Sequence, residues 1–118
     1  MTAPNVVNVA NITGKMAMAN LTTVTGNVIA NASGSNTLVK INQITVSNTT
    51  GSAVSCYISI LRSAVNYSVA SNVSIPAAAS LVAVGKDSMI YLEEGDALQA
   101  NASSNSAVQI TSSYEIIA

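Results

Sequence analysis

Histidine, tryptophan and phenylalanine are missing from these 118 residues, and cysteine occurs once. Without histidine the usual general base is absent. One cysteine cannot close an intrachain disulfide, and it is far short of the four Cys/His ligands of a structural zinc site. Charge is scarce, with 4 Lys+Arg against 5 Asp+Glu and a net charge of -1. Four basic side chains cannot neutralise the phosphates that a nucleic-acid-binding protein must contact, so no nucleic-acid partner is expected. Disorder requires low hydrophobicity and high charge, whereas this chain is 49% hydrophobic and 8% charged. Long apolar runs are also lacking, the longest being Met16 to Ala19 and Leu81 to Val84. A spanning helix needs about 20 such residues, so no membrane segment is expected. The start, Met1-Thr2-Ala3-Pro4-Asn5-Val6-Val7, has neither the basic nor the apolar region of a signal peptide.

What the chain has in quantity is Ser, Thr and Asn, 40 residues in all. Val, Ile and Thr total 35, against 20 for Leu, Met, Glu, Gln, Lys and Arg together, so composition favours strands over helices. Period-2 alternation recurs and no sustained helical stripe does. Val54, Cys56, Ile58 and Ile60 alternate with polar residues, as do Val108, Ile110, Tyr114 and Ile116. Thr37 to Asn48 changes phase, with Val39 and Ile41 on odd positions and Ile44 and Val46 on even ones. A bulge near Asn42-Gln43 would let both pairs face one core. Shorter strands are expected at Asn5 to Ile12 and Lys15 to Thr25, paired around Gly14, and at Asn27 to Asn31. Others fall at Tyr67 to Ile75, Leu81 to Val84, Ser88 to Leu92 and Ala97 to Ala102. Gly51-Ser52 reads as a hairpin turn. The sum is nine or ten short antiparallel strands in an all-β sandwich or jelly roll, a single domain over 1–118. The first 30 residues or so are the least patterned and read as an N-terminal arm or added strands. Val73, Ile75, Met89, Tyr91 and Leu98 complete the expected core.

No grouping of residues points to catalysis. Lys86 and Ser88 could share a strand face, but a Ser-Lys dyad needs a buried lysine and Gly85-Lys86-Asp87 reads as an exposed turn. Glu93, Glu94 and Asp96 form the one acidic cluster, read as a solvated turn with Gly95 supplying a positive φ. Alanine at Lys86, Ser88, Glu93 or Asp96 is expected to have small effects. Cys56 reads as a small buried hydrophobe. Seven Asn-x-Ser/Thr sequons, at Asn11, Asn20, Asn31, Asn48, Asn66, Asn72 and Asn101, follow from composition. The reading is a non-enzyme with no cofactor and no metal.

Tyr91-Leu92-Glu93-Glu94-Gly95-Asp96-Ala97-Leu98, then Ala100-Asn101-Ala102-Ser103 and Ser113-Tyr114-Glu115-Ile116, resembles small β-sandwich virion proteins of tailed phages, cyanophages in particular. Asn11-Ile12-Thr13-Gly14-Lys15 and the segment around Asn48-Thr49-Thr50-Gly51 are similar to the same group. The resemblance implies a virion structural protein, most like a capsid decoration or cement protein that binds the outer shell. It implies the major capsid protein and other copies of itself as partners, in a homo-oligomer such as a trimer, and assembly in a host cytoplasm. The alternatives are a neck, tail or fibre-adaptor subunit, and a non-viral surface-fibre or binding module. The weakly patterned segment Thr2 to Ile12 is the expected contact, through Val6, Val7, Val9 and Ile12, adding a strand to a neighbour's sheet edge.

Overall fold

The computed structural model describes residues 11–85 and 90–118. They form nine strands in two antiparallel sheets: β1 Ile12–Asn20, β2 Gly26–Ala30, β3 Leu38–Asn48, β4 Val54–Arg62, β5 Val65–Ile75, β6 Ser80–Val84, β7 Ile90–Leu92, β8 Ala97–Ala102 and β9 Val108–Ile117. One sheet runs β1-β9-β3-β6, with β7 also on β3, and the other runs β2-β8-β4-β5. The pairing is nested. Arg62 pairs with Val65, Val54 with Ile75, Val39 with Leu92, Gly26 with Ala100 and Ile12 with Ile117. Partners thus lie nearly equidistant in sequence from Ser63-Ala64. The described residues form one long antiparallel hairpin rolled up so that its pairs fall alternately into two sheets, which is a jelly roll.

Apart from the edge strand β1, which has no buried residue, the strands turn buried side chains towards the opposite sheet. Ile41, Ile44, Val46, Ile58, Ile75, Leu92, Leu98, Val108 and Ile110 are sealed from solvent, with Cys56 among them. The phase change in β3 is resolved as expected. Its register against β9 shifts between Ile41 and Gln43, and Val39, Ile41, Ile44 and Val46 are all buried. An extra residue at that point returns the second half of the strand to the core face. Ile60, Val73, Tyr114 and Ile116 are only partly buried and pack at the core's margin. In β9 the interior position between Ile110 and Tyr114 is filled by Ser112, whose hydroxyl donates to the Gln43 carbonyl at 2.9 Å, the carbonyl that the bulge displaces.

Three local expectations are corrected. Gly51-Ser52 does not close a hairpin, because β3 and β4 belong to different sheets and the segment arches between them. Both strands have a mostly apolar inner face, with Asn48 the polar exception at the end of β3, and stacking buries both faces together. Gly14 is not a turn, since β1 runs straight through it; residues 5–10 lie outside the described residues. Tyr91 is 44% exposed while Leu92 is buried, because Tyr91 pairs with Lys40 on the outer face and Leu92 with Val39 on the inner one. Met89 lies outside the described residues.

Two asparagines close the ends of the roll. Asn48 donates to the carbonyls of Ser52, Ile75 and Pro76 at 2.7, 3.0 and 3.2 Å and accepts from the Thr50 N–H and hydroxyl. Asn31 donates to the carbonyls of Thr37 and Leu92, both at 3.0 Å, and accepts from the Ser35 and Thr37 hydroxyls. An arch leaves backbone carbonyls without a ladder partner, and a buried amide satisfies them.

The tip of the hairpin is strained. Ser63 and Ala64 have φ of 52 and 62, a conformation that suits Asn-Gly far better. Left-handed backbone costs an L-residue about 1–2 kcal/mol, part of which is returned as glycine's extra freedom in the unfolded chain. Ser63→Asn combined with Ala64→Gly should therefore raise unfolding stability by about 1 kcal/mol, read as a higher urea midpoint at unchanged slope.

Candidate assembly surface

β1 is an edge strand, and of its residues only Ala17 is even half-buried. Sequence alternation places Ile12, Met16 and Met18 on one side of it. Their partners on β9 are Ile117, Ser113 and Thr111, so they lie on the outer face of the sheet. Met16 is 58% exposed and Met18 71%. One row across this face reads Met18, Thr111, Thr45, Val82, and Val82 is exposed as well. Neutral hydroxyls between apolar side chains make a surface that costs less to dry than a charged one, because ions lose far more hydration than hydroxyls do. Among the described residues its one ion pair is Lys40–Glu115 at 3.8 Å, with Asn42 also donating to Glu115 at 3.0 Å.

The outer face of the other sheet is neutral and polar. Its side chains bond across strands: Tyr57 to Asn72 at 2.9 Å, Gln99 to Asn27 at 2.8 Å, Asn101 to Thr25 at 2.8 Å. Register shifts of β4 against β5 at Cys56/Ile58 and Ile58/Ser59 dish this face into a shallow cavity of about 180 Å³.

Four of the described charged residues, Arg62, Glu93, Glu94 and Asp96, gather at one corner. Arg62, from the end of β4, donates through Nε to both carboxylate oxygens of Asp96 at 2.9 and 3.1 Å, and it pairs with Glu93 at 2.9 Å. Asp96 also accepts from the Glu93 N–H at 2.9 Å. The acidic turn is therefore not simply solvated: the Asp96 side chain is 3% exposed. Burial pushes its carboxyl upward, but the Arg62 hydrogen bonds, the Glu93 N–H and the Arg62 charge outweigh that and hold it below the usual carboxylate range. Gly95 has φ 89, as the turn reading required. A 380 Å³ cavity opens here between Ser33, Ser63 and the acidic turn, and both carboxylate oxygens of Glu94 are buried without a hydrogen-bond donor.

Of the expected contact residues, Ile12 opens β1 and is exposed; Val6, Val7 and Val9 lie outside the described residues, as do Lys86 and Ser88. Cys56 is buried in the core, and burial pushes its thiol upward. Asn31 and Asn48, two of the seven sequon positions, are buried structural residues. Sequence reasoning passed over the edge position of β1 and the Arg62–Asp96 clamp. The even-position run Ile12, Met16, Met18 was a visible signal for the first. Nothing local signals the second, whose partners are 34 residues apart.

No family model and no curated protein matches this sequence. Solved structures do match in shape. One is a protein of Bacillus endospore appendages, described as a novel family of disulfide-linked pili. It superposes with a TM-score of 0.53 at 9% identity, over 91% of this chain and 85% of that one. Another comes from an archaeal virus described by a triple jelly-roll fold and turret assembly. Its TM-score is 0.56 at 20% identity, over 94% of this chain but only 30% of that one. At such identities the likeness is one of fold, and the shared fold is the jelly-roll sandwich. Among the described residues no helix is long and apolar enough to cross a membrane, and no three His, Cys, Asp or Glu side chains stand where they could hold a metal.

The clamp makes stability pH-dependent. A carboxyl held low when folded contributes stability above its unfolded value of about 3.9, and the contribution is lost as pH falls through the folded value. Arg62 is 47% exposed, so solvent screens the pair and its worth is about 1–2 kcal/mol. Asp96→Asn should lower stability by that amount at pH 7 and by progressively less below pH 4, read from urea unfolding at several pH values.

Proposed function

We propose that this chain is a non-enzymatic structural subunit of a virion, a decoration or cement protein that binds the outside of a capsid shell. Residues 1–118 act as one sandwich domain, with the major capsid protein and further copies of the chain as partners. The observation that carries this reading is the pair of broad, nearly uncharged outer faces on a jelly roll. Such faces suit permanent burial against protein better than a free existence, where charge maintains solubility. The phage-protein resemblance in the sequence and the fold shared with a virus protein support it. At about 25 cal/mol per Å² of apolar surface, a contact of standard size holds without ion pairs, and an oligomer gains avidity by engaging several shell subunits. Residues 2–12, with Val6, Val7, Val9 and Ile12, supply much of the contact by adding a strand to a neighbour's sheet.

The pilus-like fold favours a second reading, a filament subunit. The single buried Cys56 cannot serve disulfide links between successive subunits, so such a filament would be held by strand pairing alone.

Two measurements test the proposal. Cryo-electron microscopy of purified particles should place hundreds of copies on the capsid exterior; density confined to the portal vertex or tail would move the assignment to a neck or tail subunit. Deleting residues 2–12 should leave a folded protein that no longer decorates particles, while attachment of the intact chain should survive raised salt, which screens mainly charged contacts.

A further inference from the structure

We propose that β1 pairs antiparallel with β1 of a second copy, about a two-fold axis at Ala17, joining the two five-stranded sheets into one. The backbone decides what this edge offers. The Asn11 N–H donates to the Ala118 carbonyl at 3.0 Å, the Ala118 N–H to the Asn11 carbonyl at 2.9 Å, and the Leu21 N–H to the Val108 carbonyl at 2.8 Å. The register between β1 and β9 is unbroken from Ile12 to Asn20. Odd-numbered residues therefore turn their N–H and C=O groups towards β9. Ile12, Gly14, Met16, Met18 and Asn20 turn theirs to the edge that no other described strand covers. A full antiparallel ladder there must match even positions with even positions.

A second copy of β1 satisfies that requirement, and charge selects its register. Lys15 is the one charged residue of the strand. A two-fold at Lys15 would set two ammonium groups directly opposite, and one at Met16 would leave them diagonal neighbours about 7–8 Å apart. At Ala17, Lys15 faces the partner's Ala19, and the two lysines stand about 14 Å apart along the strands. The same register places Met16 opposite the partner's Met18 and Gly14 opposite the partner's Asn20. Four exposed methionines then form one cluster on the outer face, where flexible thioether side chains pack without demanding a fixed shape. β1 has no proline and no bulge against β9, two of the devices that commonly blunt an exposed edge, and Lys15 is the one such device it carries. A partner recognised by charge would find only Lys15 here, whereas an identical neutral strand meets no repulsion. The pairing is independent of the capsid assignment, since it concerns the isolated protein.

Cysteine scanning tests it. Opposed residues in a non-hydrogen-bonded pair have Cα atoms about 4.5 Å apart, inside disulfide range, and native Cys56 is buried. Ala17→Cys should convert almost completely to a covalent dimer under mild oxidation, while Thr13→Cys should not. Met18→Pro removes an edge N–H without touching the β9 ladder, so it should keep the wild-type circular dichroism and weaken dimerisation at least tenfold by sedimentation. An Ala17→Cys protein that stays monomeric, or a wild-type chain that sediments as a monomer at 100 μM (a chosen working concentration, about the upper range for weak dimers), overturns the proposal.

Discussion

Nested pairing about Ser63-Ala64 is the constraint on which the rest of this structure depends. Once Arg62 meets Val65, every strand in the first half has its partner assigned by distance from the tip, out to Ile12 with Ile117. Rolling the long hairpin then brings β3 beside β9 and β4 beside β8, which closes two sheets over one core. Such contacts are almost all distant in sequence, so loop-closure cost has to be met before burial returns it. The strained tip is tolerated because the ladders on both sides over-determine it.

A rolled hairpin cannot keep perfect register on both sides of every strand. Shifts occur in β2–β8, β3–β6, β3–β9 and twice in β4–β5. The one in β3 matters most, because that strand pairs with β9, β6 and β7 and supplies four buried apolar side chains. Without it, either Val39 and Ile41 or Ile44 and Val46 would face water. Ser112 at the displaced carbonyl and the amides of Asn31 and Asn48 at the arches answer the backbone groups that these irregularities leave without ladder partners.

The same geometry decides where the molecule is left open. In a rolled hairpin each sheet ends in edge strands; among the described residues these include β1, from the outermost pair, and β2, β5 and β6. The sheets carry so little charge that their outer faces are defined by hydroxyls, amides and a few exposed apolar side chains. Charge that remains is mostly spent internally, in Lys40–Glu115 and in the Arg62 clamp. The proposed self-pairing through β1 and the proposed docking on a larger shell draw on one property, a surface with few ions to strip of water.

Alternation and composition were enough to determine the all-β class, most strand positions, the bulge at Asn42-Gln43 and the burial of Val54, Cys56, Ile58, Val108 and Ile110. These follow from the period of two, which a strand imposes locally and which needs no knowledge of partners. Sequence did not reveal which strands pair. Gly51-Ser52 looked like a hairpin and is an arch, whereas Ser63-Ala64 carries no turn signal and is the hairpin tip, because ladders formed elsewhere supply the energy that turn chemistry lacks. Asp96 read as an exposed acid, and only the fold brings Arg62 across to bury it. The exposure of Met16 and Met18 was likewise a tertiary decision: the strand alternates as a core strand would, but nothing in the described fold packs on its outer side.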